Sequence, residues 1–276
     1  MPELPEVENV RRTLEDLITG KMIEDVIVTY PKIVKQPDDV EQFKEMLQGE
    51  TVEGIGRRGK FLLIYITNYT IVSHLRMEGK YMLESADNPV DKHTHVRFRF
   101  TDETELRYKD VRKFGTMHLF RKGEELEKMP LADLGPEPFS ELLTPTYLQE
   151  KLQKTSRKIK VVLLDQRVLV GLGNIYVDEV LFRSGIHPER EASSLTKEEF
   201  QKLHTEIVAT LEDAVEQGGS TIRTYMNSQG QLGTYQESLY VYGKKGEPCP
   251  ACKTTIEKTV VGGRGTHYCH VCQPRK

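Results

Sequence analysis

At 276 residues the chain is long enough to bury a core in each of two lobes, so two domains are expected. No apolar run approaches the roughly 20 residues of a membrane span, and the opening MPELPEVENV lacks a basic stretch followed by an apolar one, so neither an anchor nor an export signal is expected. The net charge of −3 gives no sign of a nucleic-acid partner, yet it is uneven: residues 240–276 hold seven Lys/Arg against two Asp/Glu, or +5, leaving −8 for the remainder.

Residues 6–18 place Val7, Val10, Leu14 and Leu17 at helical spacing, which predicts a helix directly after the N-terminal tetrad. Over residues 54–122 the pattern becomes strand-like: KFLLIYI is a buried apolar run, TIVSHL a second, and HVRFRF alternates with period two. That half reads as antiparallel sheet. The segment LADLGPEPFSELLTP, residues 131–145, keeps no period and reads as the connection between lobes. Helical periods resume over residues 147–154 and 158–165, and again from Asn174 until Gly185, just ahead of His187 and Pro188. Thr196 with Glu199 makes a capping box, and Phe200, Leu203, Ile207, Leu211 and Val215 continue that helix until Gly218 and Gly219 end it. Residues 219–237 are polar and contain glycine, as in a long functional loop.

Four cysteines carry the most specific signal. Cys249 and Cys252, then Cys269 and Cys272 after sixteen intervening residues, have the spacing of two knuckles that close one zinc ribbon. Four sulfur ligands saturate zinc and leave no position for water, so the metal is expected to be structural. Between the knuckles Lys258, Arg264 and His267 form a basic finger suited to a phosphate or a groove. Other basic runs, RRGK at 57–60, RYKDVRK at 107–113 and KLQKTSRKIK at 151–160, read either as solvated faces or as phosphate contacts. VGLGNIY, residues 170–176, sets two glycines and Asn174 at a helix start, where free backbone N–H groups can hold phosphate or the glycines merely turn the chain. Pro2 permits removal of Met1, which would expose a secondary amine. Such an α-amino group titrates near ~8, well below a lysine, and can attack an electrophilic carbon to give an iminium, with Glu3 and Glu6 near enough to move protons.

MPELPE, RRGK around Lys60, HLRM with His74 and Met77, VRKFG with Arg112 and Phe114, VGLGNIY and the four-cysteine finger together resemble the formamidopyrimidine-DNA glycosylase family from end to end. The resemblance implies an α+β protein: an N-terminal two-layered β-sandwich flanked by helices (residues 1–135), a linker (136–145), a helix–two-turn–helix DNA-binding domain with a lesion-capping loop (146–238), and a β-hairpin zinc finger (239–276). DNA would lie between the lobes.

By the same resemblance the catalytic residues are Pro2, the nucleophile, Glu3, which assists opening of the sugar ring, Lys60, which aids base release or β-elimination, and Arg264, which grips the phosphates beside the lesion and donates a proton in the second elimination. Met77, Arg112 and Phe114 would fill the gap left by the extruded nucleotide, although read alone Met77 and Phe114 look like core residues. Asn174 and Lys258 would touch phosphate, with His74, His93, Lys154 and Lys160 as further backbone contacts. Glu6, Thr224 and Tyr242 would lie near the extruded base. The expected ligand is double-stranded DNA carrying an oxidised purine, bound by a monomer in the bacterial cytoplasm at the nucleoid, with one structural Zn2+ as the sole cofactor. Two rivals remain: an endonuclease VIII-type enzyme for oxidised pyrimidines, whose start resembles PEGPE where this chain has Leu4, and a zinc-ribbon DNA binder without chemistry.

Overall fold

A computed structural model describes residues 1–220 and 233–275. The chain divides into two compact units, Met1–Asp133 with Gly218–Gly233, and Leu134–Gln217 with Thr234–Lys276. The architecture is α+β.

In the first unit α1 (Leu4–Ile18) starts two residues ahead of the apolar periodicity, with Glu3 as its N-cap and Pro5 in its first turn. Proline is tolerated there because the N–H it lacks would have had no intrahelical partner. Leu4, Val7, Val10, Leu14 and Ile18 form its buried stripe. β1 (Ile23–Val28), β2 (Val34–Gln36), α2 (Val40–Leu47), β3 (Val52–Arg58), β4 (Phe61–Ile66), β5 (Tyr69–His74), β6 (Lys80–Ser85), β7 (Thr94–Phe100), β8 (Thr104–Lys109) and β9 (Thr116–Arg121) follow. They pair as a five-stranded sheet of order β2-β9-β5-β4-β3 and a four-stranded sheet of order β1-β7-β8-β6. Alternate residues of both sheets, such as Leu62, Ile64, Ile71 and Leu119 from one and Val26, Val96, Phe98 and Leu106 from the other, meet in one core that α1 and α2 also enter. That shared core makes the two sheets a sandwich. Outward-facing residues carry the charge, so the period of two read from HVRFRF is the period of burial in β7.

The second unit begins with α3 (Pro145–Leu152) and α4 (Ile159–Leu163), continues through α5 (Asn174–Ser184) and α6 (Lys197–Glu216), and closes with the hairpin β10 (Glu257–Val261) and β11 (Arg264–Tyr268). Thr196 caps α6 in the box expected of it. Leu148, Leu152, Val162, Val177, Leu181, Phe200, Leu203 and Ile207 pack these helices into a second core. Part of the stretch expected to be loop is not loop: Tyr235–Ser238 forms a short 3-10 turn, and Tyr235 is buried with its ring 5.6 Å from that of Tyr176. An aromatic ring at that position outweighs the polar character of its neighbours.

Candidate functional site

Pro2, Glu3, Glu6 and Lys60 are all buried in the first unit. Glu3 and Glu6 make a capping box at the head of α1, in which Glu6 Oε2 accepts the Glu3 amide at 2.7 Å. Glu6 Oε1 accepts the Ser220 amide at 2.7 Å and its hydroxyl at 3.2 Å, while Asn9 Nδ2 donates to the Gly218 carbonyl at 3.0 Å. Gly219 sits at φ +80°, and a Cβ there would lie 2.7 Å from Glu6 Oε1, so only glycine permits this approach. The head of α1 therefore grips residues 218–220. Glu6 spends both carboxylate oxygens on the chain itself, which suits it to holding this stem. Thr224 lies outside the described residues.

The turn between β3 and β4 carries Lys60 and is tied to α1. Arg57 Nε donates to Glu8 Oε2 at 3.0 Å, and its Nη1 to the Gly59 carbonyl at 2.9 Å. Burial pushes the Glu8 carboxyl up, but Arg11 and Arg57 outweigh it and hold the group below its ordinary range. This ion pair brings the β3–β4 turn to the first turns of α1.

Two further turns in this unit present the residues expected to enter DNA. His74 ends β5, and its Nδ1 accepts the Arg76 amide at 2.9 Å, which supports Arg76 at φ +54° just before Met77. Burial, then the charges of Arg76 and Lys60, push the His74 pKa down to about 3, so the ring is neutral and Nε2 keeps its proton. A backbone contact from His74 is thus a neutral hydrogen bond and not an ion pair. His93 is half-buried, its carbonyl accepting the Asp110 amide at 2.9 Å. After β8, Arg112 and Phe114 lie on an exposed turn, with the guanidinium 4.7 Å from the ring centroid. Phe114 is 52% exposed, so it is not the core residue its type alone suggested. Met77 is half-buried.

In the second unit the four cysteine sulfurs lie within 4.8 Å of one another, with Cys249 and Cys272 3.8 Å apart and Cys252 and Cys269 3.4 Å apart. Tetrahedral zinc with bonds of about 2.3 Å places its sulfurs about 3.8 Å apart. The cluster fits, and the four thiolates hold one structural zinc. Beyond it, Val261 pairs with Arg264 across Gly262 and Gly263, at φ +57° and +75°. Two successive positive φ values are those of a type I′ turn, which only glycine adopts freely and which matches the twist of a hairpin. Arg264, directly after the turn, and Lys258 on the facing strand are both exposed.

Buried charges fix that hairpin to the helices. Lys160 Nζ donates to Asp178 Oδ1 at 2.7 Å and to Thr266 Oγ1 at 2.8 Å, and Asp178 Oδ2 accepts the His267 amide at 2.8 Å. Both charged side chains are fully enclosed. The expectation that Lys160 touches DNA is therefore corrected: its ammonium is committed to Asp178 and β11. Lys154, outside this core, is exposed. Asn174, first residue of α5, donates through Nδ2 to the Gly265 carbonyl at 2.9 Å, so it too braces β11 beside Arg264. Tyr242 packs its ring 5.0 Å from that of His267.

Asp178, Glu179 and Asp110 escaped the reading of the sequence. Glu179 accepts the amides of Tyr240, Val241 and Tyr242 at 2.7, 2.9 and 2.8 Å. Burial raises its pKa against the pull of those bonds. The signal available was the Asp-Glu pair inside the apolar run of α5, because two carboxylates there require buried partners.

One unit thus carries a four-cysteine metal hairpin with a basic tip, and the other is a sandwich with a buried Pro-Glu pair at the head of its first helix. Family models match three segments: the formamidopyrimidine-DNA glycosylase N-terminal domain over residues 1–117, the formamidopyrimidine-DNA glycosylase H2TH domain over residues 134–226, and the zinc finger found in FPG and IleRS over residues 246–275. The chain is 77% identical over 275 residues to the formamidopyrimidine-DNA glycosylase of Bacillus cereus (strain ATCC 10987 / NRS 248), covering 100% of each. It is 58% identical over 276 residues to that of Bacillus subtilis (strain 168), again covering 100% of each. Among solved structures it resembles the Lactococcus lactis Fpg in complex with an abasic site containing DNA, at 46% identity and TM-score 0.94 over 99% of this chain and 100% of that one. The same enzyme with an N7-benzyl-Fapy-dG containing DNA gives 46% identity and TM-score 0.93 at the same coverage. This chain belongs to the formamidopyrimidine-DNA glycosylase family.

Proposed function

We propose that the protein removes oxidised purines, 8-oxoguanine and formamidopyrimidines, from duplex DNA and then cleaves the strand as an AP lyase. The observation that carries this reading is the match to one family along the whole length, with the Pro2–Glu3 pair at the head of α1. A damaged base inside a duplex is out of reach, so its nucleotide must be extruded, at a cost of a few kcal/mol. The Pro2 nitrogen, freed by removal of Met1, attacks C1′ as the base departs, and Glu3 assists opening of the sugar. Successive β- and δ-elimination from the iminium leaves a one-nucleotide gap bounded by phosphates. Lys60 assists base release or elimination. In a chain that keeps Met1 the Pro2 nitrogen is an amide and cannot react.

Arg264, Lys258, Asn174, Lys154, His74 and His93 are assigned to the DNA backbone. Met77, Arg112 and Phe114 are assigned to the space left by extrusion, where Phe114 wedges the stack and Arg112 bonds the orphaned base. Glu6 acts on the lesion through the stem at Ser220, and Thr224 and Tyr242 are assigned to the neighbourhood of the extruded base. No helix among the described residues is long and apolar enough to cross a membrane. The enzyme works as a monomer, in the bacterial cytoplasm at the nucleoid.

The test is strand scission on duplexes carrying one 8-oxoguanine opposite cytosine or one oxidised thymine opposite adenine. Faster cleavage of the first supports the reading. Faster cleavage of the second gives the pyrimidine enzyme, and binding without cleavage gives the non-catalytic binder.

A further inference from the structure

The two turns that carry Met77 and Phe114 meet at one hydroxyl. Tyr108, the fifth residue of β8, is fully buried and packs edge-on against Tyr81 with ring centroids 5.1 Å apart. A Cβ on Gly79, which closes the Met77 turn, would lie 2.2 Å from Tyr108 Oη; one on Gly115, which closes the Phe114 turn, would lie 1.6 Å from the same atom. Neither distance is compatible with a side chain, so both turns bring bare backbone against the tyrosine.

Asp110 completes the junction. Its Oδ2 accepts the Tyr108 hydroxyl at 3.3 Å and the Gly115 amide at 2.8 Å, and its Oδ1 accepts the Arg112 amide at 3.0 Å. The Asp110 carbonyl in turn accepts His95 Nε2 at 2.8 Å and the Lys113 amide at 3.3 Å. On the other side, the Gly79 amide donates to the Leu75 carbonyl at 2.9 Å, and a Cβ on Gly79 would lie 2.6 Å from that oxygen. Burial, then the charge of Asp110, raises the Tyr108 pKa, which keeps the hydroxyl a donor. Two turns that shared nothing would be free to move separately. Here each is shaped around the same oxygen.

We infer that Tyr108, through its hydroxyl, is a positioning residue that holds the Met77 turn and the Arg112–Phe114 turn as one rigid block for insertion into the duplex. The inference rests on the proposed function, since it presumes that these side chains replace an extruded nucleotide. Insertion at two points succeeds in one step only if the points keep a fixed separation, and preorganisation by buried polar contacts supplies that. The hydroxyl contributes nothing to the eliminations, which take place after extrusion.

Tyr108→Phe removes the oxygen and keeps the ring. The full-length, zinc-loaded enzyme is compared on two duplexes, one with 8-oxoguanine and a neighbouring 2-aminopurine, the other with a preformed abasic site, while thermal unfolding reports the fold. Single-turnover excision of 8-oxoguanine and the rise of 2-aminopurine fluorescence are expected to slow together by about tenfold, the scale of one buried hydrogen bond, with cleavage at the abasic site within about twofold of wild type. Asp110→Asn keeps the shape of the junction and weakens its bonds, and it carries the same comparison independently should the first variant unfold. Equal slowing on both duplexes, or no slowing on either, overturns the proposal. Inactivity of the wild type on 8-oxoguanine would instead remove the functional reading beneath it.

Discussion

Glu6 and Ser220 are joined by two hydrogen bonds to one carboxylate oxygen, from the amide at 2.7 Å and from the hydroxyl at 3.2 Å. The second acid at the head of α1 is thereby the anchor of a segment 214 positions away in sequence. Glu6→Ala strips the acceptor from three buried or part-buried donors, and each donor left unsatisfied costs about 1–3 kcal/mol. With three such donors we expect urea unfolding to show a loss of about 3 kcal/mol or more, and excision of 8-oxoguanine to fall more than duplex affinity. A fall in affinity alone would contradict the anchoring role.

Lys160 and Asp178 form an ion pair with no exposed surface. Removing one partner leaves the other charged and buried, so Lys160→Met is expected to cost about 3–5 kcal/mol in chemical denaturation. Because Asp178 also holds β11 through the His267 amide, the variant should release zinc to a chelator faster than wild type. Unchanged zinc release with full loss of duplex binding would return Lys160 to the role of a direct DNA contact.

Lys258 is exposed on β10 and carries no such structural duty among the bonds described. Lys258→Ala is expected to leave the unfolding midpoint unchanged and to reduce the slope of log affinity against log salt by about 1, as the loss of one phosphate contact requires. An unchanged slope would remove it from the interface.

His74 links acid stability to the Met77 turn. Its folded pKa of about 3 lies below the ordinary 6.5, so between those values the unfolded chain binds the additional proton. The stabilisation is complete above the upper value and declines as pH falls toward the lower one. Between pH 7 and 5 the wild type should lose roughly 2 kcal/mol more than His74→Gln, whose amide still offers an acceptor to Arg76. Parallel losses in urea denaturation would show that the imidazole is not held neutral.

The periodicities of α1, α6 and β7 were legible because in each the spacing of apolar residues is the spacing of the buried face. The zinc site was legible for a similar reason: two short Cys-x-x-Cys knuckles fix ligand geometry locally. Partnerships across long separations were not. Nothing in KLQKTSRKIK distinguishes Lys160, enclosed with Asp178, from Lys154, which is exposed, since periodicity assigns a face but not the charge that meets it. Likewise Asp110 looks like one more turn aspartate until its carboxylate is seen to collect the amides of Arg112 and Gly115. Tyr235 was hidden by the polar residues around it.

Borohydride trapping tests the central claim, that Pro2 is the reacting amine, most directly. The substrate is a duplex with one 8-oxoguanine opposite cytosine, and the enzymes are the native chain with Met1 shown to be removed, Pro2→Gly, and a form extended by one residue before Pro2. The account predicts a covalent protein–DNA adduct from the native chain and none from the extended form, whose proline nitrogen is an amide. An adduct of equal yield from the extended form would place the reacting amine elsewhere and contradict it.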